Sequence, residues 1–310
     1  MARLLALNGH EVHLCCRDAD GPDVLRETRK SPFYLPGVLL PESIEIARTV
    51  ESDAALAVFA VPSHAMRKVV GEHAFCARTI RVSVAKGIEN GSLQRMSEVI
   101  EQAAPGGPVL TLSGPSHAEE VARDLPASVV VAGADAGACE MAQGAFMADG
   151  FRVYTSPDLV GVELGGALKN VMAIGAGVCD GFALGDNAKA ALITRGVAEM
   201  ARLGVALGAD RLTFAGLSGM GDLIVTCASG HSRNRAVGER IARGDKMDQI
   251  LAGPMVAEGI RTARSVHDLA AREDVEMPIA EQVYGVLYEQ ADPRLAIAQL
   301  MTRGPKPERD

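Results

Sequence analysis

Short apolar runs rich in β-branched residues alternate with helical stretches along the first half of the chain. Runs at 12–16, 55–61, 79–85, 109–113, 128–132 and 152–154 have strand length, and 93–102 and 136–147 repeat apolar residues at helical spacing between them. Strands separated by helices predict crossover units and hence a mostly parallel sheet. From Pro157 the pattern lengthens: Leu164, Leu168, Val171 and Met172 recur at i, i+4, i+7 and i+8, and 190–207 reads as another long helix. The chain is therefore expected to be α/β, with a sheet domain over 1–156 and an all-α domain over 157–303. A charged tail with prolines, 304–310, is expected to be loose.

The opening residues are unusual. Residues 2–7 read as the last turns of a helix, stopped by Asn8-Gly9, and the strand that follows ends at Arg17-Asp18. That is the second half of a Rossmann unit, without the strand, glycine turn and helix front that precede it. No substitute glycine fingerprint occurs. After Gly175 and Gly177 the next glycine is Gly181, one residue late and inside a helical pattern, and Ile224 stands where the third glycine should follow Gly219 and Gly221. The first domain is thus expected to be a Rossmann-like parallel sheet, N-terminally incomplete.

Composition narrows the function. The 310 residues, 48% hydrophobic and 23% charged, have an ordinary globular balance. The longest apolar run, 54–61, is strand-sized, so no membrane span is expected, and no basic-then-apolar leader opens the chain. A net charge of -8, with four Tyr, seven Phe and no Trp, disfavours nucleic acid as a partner, although a local basic site for a small anion remains compatible. Six cysteines without paired spacing read as reduced cytosolic thiols. His10 and His13 fall in a strand-like stretch where they point to opposite faces, so metal binding is not expected.

Four segments carry candidate chemistry. In VSVAKGIENG (82–91), Lys86 directly follows a strand, where open parallel sheets bind ligands; a surface loop lysine is the alternative. In LTLSGPSHAEEV (110–121), a strand runs through Gly114, Pro115 and Ser116 into a helix. Pro115 suits the first helical position, so the free N–H groups of 116–118 could meet a phosphate, or form a plain connection. In VELGGALKNVMAIGAG (162–177), Gly166, Lys169, Asn170, Ala173 and Gly177 share a helical stripe. Glycine within a helix costs about 1 kcal/mol relative to alanine, so the stripe needs either close helix packing or a ligand beside Lys169 and Asn170. A partly desolvated lysine there would have a lowered pKa suited to proton transfer. In SGMGDLIVTCASGHSRNR (218–235), Asp222 and Thr226 share a face if helical, and Ser232, Arg233, Asn234 and Arg235 form either a phosphate site or a solvated loop.

Together these segments resemble the bacterial-type NAD(P)-dependent glycerol-3-phosphate dehydrogenases. NGHEVHL, YLPGVLLP, VAKGIE, SGPSHAEEV, GVELGGALKN, GDNAKAALITRG, SGMGDLIVTC, SRNR and VAEGIRTA occur in the family's order from Asn8 to about Arg303. The resemblance implies a Rossmann domain followed by a helical substrate and dimerisation domain. It implies reduction of dihydroxyacetone phosphate to sn-glycerol 3-phosphate with NADPH or NADH, in the cytoplasm, by a homodimer supplying phospholipid synthesis. Lys169 resembles the family's general acid, Lys86 the lysine between cofactor and substrate, and Asp222 the aspartate of the lysine network. Gly114, Ser116, Asn170 and Thr226 fall on the substrate side, and Ser232, Arg233 and Asn234 match the segment that holds the substrate phosphate. Cofactor contacts are implied for Arg17, Lys86, Ala118, Arg233, Val256 and Glu258.

The family's chains open with a buried strand and a G-x-G-x-x-(W/Y)-G turn that receives the pyrophosphate, and this chain matches from just after it. A central strand is therefore expected to be lacking, its neighbours' edges unpaired, and roughly two dozen further residues are expected in the full protein. The competing expectations are an inactive remnant that only folds and dimerises, and a related dehydrogenase of another phosphorylated substrate.

Overall fold

The computed structural model of the chain describes residues 1–17, 21–50, 52–252, 257–305 and 307–308. Helix α1 (Ala2–Leu7) leads into strand β1 (Val12–Cys15), which pairs in parallel with β2 (Ile44–Ala47). A second sheet has the order β3 (Leu56–Phe59), β4 (Ile80–Ser83), β5 (Val109–Ser113), β6 (Ala127–Ala132), β7 (Phe151–Ser156). Its pairs are parallel except β5 with β6, so the expectation of a mostly parallel sheet holds with one reversal. Among the described residues, β1 and β3 are not paired with each other and the two sheets remain separate.

Burial explains the sheet. Every residue of β4 is buried, because helices cover both of its faces. On one face Ile80, Val82, Leu110, Leu112, Val129 and Val131 pack with Ala142 and Phe146 of α6 (Ala136–Phe146), and with Leu5, Val12, Ile44 and Ile46. One core thus joins both sheets. On the other face Phe59 packs with Met66 and Val70 of α3 (Met66–Gly71), and with Met96, Val99 and Ile100 of α4 (Met96–Ala103). The buried Arg81 of β4 donates to the carbonyls of Ala104 and Gly107. Strand β2 and helix α2 (Pro22–Thr28) were not evident in the sequence pattern. β2 has only four residues with alternating burial, and its two glutamate-flanked isoleucines give too short a run to stand out.

The second half is helical. Helix α7 (Leu159–Gly181) is its axis, buried without a break from Gly161 to Cys179. It is long and apolar enough to cross a membrane by length and composition, which the run-by-run reading missed. Its most apolar window is 89% buried inside the fold, as expected of a core helix apolar all round. Around it pack α8 (Asp186–Ala206), α9 (Asp222–Ala228), α10 (Arg233–Ala242), α12 (Glu258–Arg272) and α13 (Pro278–Tyr288); α11 (Met247–Leu251) and α14 (Pro293–Met301) lie further out. Glu163 fastens α7 to the sheet half, accepting from Arg95 Nη1 at 2.6 Å, Ser97 N at 2.8 Å and Ser97 Oγ at 2.6 Å at the start of α4. Of the tail, the described residues 304, 305, 307 and 308 are exposed.

Glu199 of α8 is buried and accepts from the backbone N–H groups of Ile279 and Ala280 in the first turn of α13. Burial outweighs these bonds and pushes its pKa up to about 7. The folded state then holds a proton that the unfolded chain releases near 4.5. The associated stability is full below about 4.5 and lost as pH rises through about 7, an effect of about 3 kcal/mol. Glu199→Gln is expected to flatten that slope, as read by denaturant unfolding between pH 5 and 8.

Candidate active site

Three loops and three helices converge where the two halves meet. β4 ends at Ser83 and delivers Lys86, whose Nζ donates to the Gly114 carbonyl at 2.8 Å and to Asp222 Oδ2 at 2.6 Å. Gly114 follows β5 with φ of +135° against the backbone of Val129, a conformation and a closeness that a side chain would disfavour. Helix α7 delivers Lys169, whose Nζ donates to Asp222 Oδ1 at 2.9 Å and Thr226 Oγ1 at 2.7 Å. The carboxylate thus bridges two ammonium groups.

Asp222 is placed there by a π-helical turn, Leu217–Gly221, that leads into α9. A Cβ on Gly165 of α7 would come within 2.7 Å of the Ser218 carbonyl, and one on Gly219 would strike the Phe214 backbone. These glycines let the turn lie on α7 and set Asp222 opposite Lys169. Thr226, one turn on, donates to the Asp222 carbonyl at 2.6 Å, so both residues do share a helical face. The glycine stripe of α7 therefore serves close packing, the first of the two purposes read from its sequence. Gly177 admits the α10 backbone at Arg235 and Gly238, whereas Gly166 lies beside Ser113 and Lys86 at the site.

The electrostatics match proton transfer. Burial lowers the Lys169 pKa to about 8, against the pull of Asp222. Burial alone would raise Asp222, but Lys169 and Lys86 hold its pKa below the ordinary value. A buried Cys227 beside Lys169 is pushed up to about 12 by desolvation and stays a thiol.

A polar relay extends from this centre. Asn170 donates to the Lys86 carbonyl at 3.1 Å, Asn234 Nδ2 donates to Asn170 Oδ1 at 2.8 Å, and Gly259 N donates to Asn234 Oδ1 at 2.9 Å. The SRNR cluster is accordingly no uniform basic loop. Ser232 caps α10 by accepting from Arg235 N, Asn234 is buried in the relay, and Arg235 pairs with Asp180 and Glu239. Arg233 alone of the four presents an exposed side chain.

Glu258, at the start of α12, accepts from Ser63 N at 2.9 Å, while its Oε2 is buried without a partner. Beside Ser63 opens a cavity of about 270 Å³, bordered by His64, Glu89, Asn90 and Arg261. Arg17 follows β1 on an exposed position; burial, then Arg261 and Arg17, lower the pKa of His64. Ser116 Oγ donates to the Gly114 carbonyl at 3.0 Å, and Ala118 is exposed at the start of α5 (Ala118–Val121). The helix begins at Ala118 with His117 as its cap, so Pro115 does not occupy its first position as the sequence suggested. Val256 lies outside the described residues. Ser63 falls in none of the sequence motifs, and Ser113 and His117, although inside SGPSHAEEV, have no side-chain role read from it. Their buried polar atoms mark them only once the chain is folded.

A Rossmann-like sheet facing a helical half, with two lysines on one buried aspartate between them, is the arrangement expected of the nicotinamide-dependent dehydrogenase class. Comparison with known proteins is specific within it. The pattern of the NAD-dependent glycerol-3-phosphate dehydrogenase N-terminus matches residues 1–139, and that of its C-terminus residues 158–298. The chain is 48% identical to the glycerol-3-phosphate dehydrogenase [NAD(P)+] of Pelotomaculum thermopropionicum, over 98% of this chain and 90% of that one. It is 46% identical to the enzyme of that name from Chlorobium luteolum, over 100% and 96%. The crystal structure of glycerol-3-phosphate dehydrogenase from Coxiella burnetii superposes with a TM-score of 0.91 at 35% identity, over 97% of this chain and 94% of that one. The chain belongs to the NAD-dependent glycerol-3-phosphate dehydrogenase family.

Proposed function

We propose that the chain interconverts dihydroxyacetone phosphate and sn-glycerol 3-phosphate with NADPH or NADH, and that Lys169 moves the proton. The observation that carries the reading is the Lys169 ammonium, buried, aimed by Asp222 and Thr226, and tuned to a pKa of about 8. Arg17, Lys86, Ala118, Arg233, Glu258 and, outside the described residues, Val256 are the groups proposed to hold the cofactor. The unpartnered Glu258 Oε2 and the adjoining cavity fit such a ligand. When bound, the reduced nicotinamide supplies the hydride that the ketone carbon accepts.

The chain's own residues do the rest. Lys169 hydrogen-bonds the ketone oxygen, stabilises its developing charge and donates a proton to it. Before transfer the Lys86–Asp222–Lys169 group is net positive by one, and after it the group is neutral. Asp222 is therefore never left as an uncompensated buried charge, because Lys86 remains paired with it. Arg233 offers its guanidinium to the substrate phosphate, while Ser232 and Asn234 fix the turn that presents it, and remote binding energy orients the ketone.

We also propose the boundary between the units at 156/157, a cytoplasmic homodimer, and a role supplying phospholipid synthesis. The six cysteines, without paired spacing along the chain, support the reducing compartment. NADPH oxidation strictly dependent on dihydroxyacetone phosphate is expected from the purified, folded chain, and absence of turnover overturns the activity.

A further inference from the structure

We propose that His117 is a substrate-binding residue, its Nε2 contacting an oxygen of the phosphorylated triose on the phosphate side of the ketone. This rests on the site reading above. His117 sits between Ser116 and Ala118, yet its side chain makes no capping bond to the helix it precedes. Its Nε2 is buried and has no hydrogen-bond partner. Native folds seldom leave a buried ring nitrogen unpaired, and at an active site the missing partner is naturally the substrate.

The surroundings say which part of the substrate. The 114–117 turn is pinned to the catalytic centre by the Lys86–Gly114 bond, and Pro115 lies 3.8 Å from where a Cβ on Gly221 would stand, next to Asp222. The His117 ring centre is 6.2 Å from that of His231, which immediately precedes Ser232 and Arg233. His117 therefore bridges the space between the lysine pair and the phosphate segment, reaching from the sheet half towards the helical half. The groups facing it are Lys169 of α7, Asp222 of α9, Lys86 of the β4 loop, Glu120 of its own helix, and His231. Burial, then Lys169, keeps its pKa below the usual imidazole value, which favours the neutral ring. A neutral donor adds a contact without adding a third cation beside Lys169, whose proton affinity is thereby preserved.

The test is steady-state kinetics of His117→Phe and His117→Gln, with Lys169→Met alongside and circular dichroism to verify folding. Phe keeps the ring and removes the polar atom; Gln restores a donor at similar reach. His117→Phe is expected to raise KM for dihydroxyacetone phosphate about tenfold, the loss of one good hydrogen bond, with kcat and KM for NADPH nearly unchanged. His117→Gln is expected to recover much of that loss. Values for His117→Phe within twofold of the parent overturn the proposal. So does a parallel rise in KM for NADPH, which would mark a structural role. If His117→Phe does not fold, His117→Gln and His117→Asn decide by the same KM split. Retained turnover in Lys169→Met overturns the site reading itself, a result distinct from a silent His117.

Discussion

Lys169→Met is expected to lower kcat/KM for dihydroxyacetone phosphate by about 10³-fold or more, since it removes both the proton donor and the charge facing the developing alkoxide. Methionine keeps the length and apolar bulk of the lysine stem in a site where Lys169 is 5% exposed, so folding is expected to persist. The parent's pH dependence identifies the same group. Reduction needs the ammonium, and its rate is expected to be flat below about 8 and to fall above it; oxidation of glycerol 3-phosphate needs the free amine and is expected to rise towards about 8 and then level. Stability carries a matching sign. Because the folded pKa lies below the ordinary 10.5, the unfolded chain holds a proton between about 8 and 10.5 that the folded chain has released, and stability rises with pH across that window. Lys169→Met should abolish both the rate dependence and this slope. A folded Lys169→Met protein with parental turnover would show that another group moves the proton.

Much of this was legible in the chain because local pattern and tertiary role coincide. β4 and β5 were legible as strands from their length and β-branched residues, although Arg81, Ser83, Thr111 and Ser113 are buried polar residues that no apolar run reports. The glycines of α7 are conspicuous because they break helix preference, and the fold uses them for close approach, to backbone at Gly165 and Gly177 and to the Ser113 and Lys86 side chains at Gly166. The shared face of Asp222 and Thr226 followed from helical spacing, and their place in the site only from the family resemblance. The reading weakened wherever contacts span the sequence. Ser63 and Glu258 meet across 195 positions, and nothing in either neighbourhood announces the other. SRNR reads as one basic cluster, yet capping, burial and the Asp180 pair divide its four residues among different tasks. The side chain of His117 has no pattern of its own within SGPSHAEEV; only the unpaired ring nitrogen distinguishes it.

Asp222→Asn is the sharpest test of how the two lysines are kept apart in function. The carboxylate accepts from Lys86 at 2.6 Å and Lys169 at 2.9 Å, and is 1% exposed. An asparagine fills the same volume but carries no charge, leaving two ammonium groups close together without a counter-ion. Breaking a buried ion pair from one side costs about 3–5 kcal/mol, so a lower unfolding midpoint in urea is expected. Lys169 sheds its proton more readily once the carboxylate is gone, because Asp222 is the main influence raising its pKa. The break in the pH profile of reduction should therefore move below about 8, and activity at neutral pH should fall with it, by about 10²–10³-fold when misaimed proton transfer is included. The double variant Lys86→Met/Asp222→Asn separates the two effects. Removing the second cation is expected to restore much of the stability but not the rate, since Lys169 then lacks the acceptor that aims it. An unmoved pH break in Asp222→Asn would mean that Asp222 positions Lys169 without tuning it.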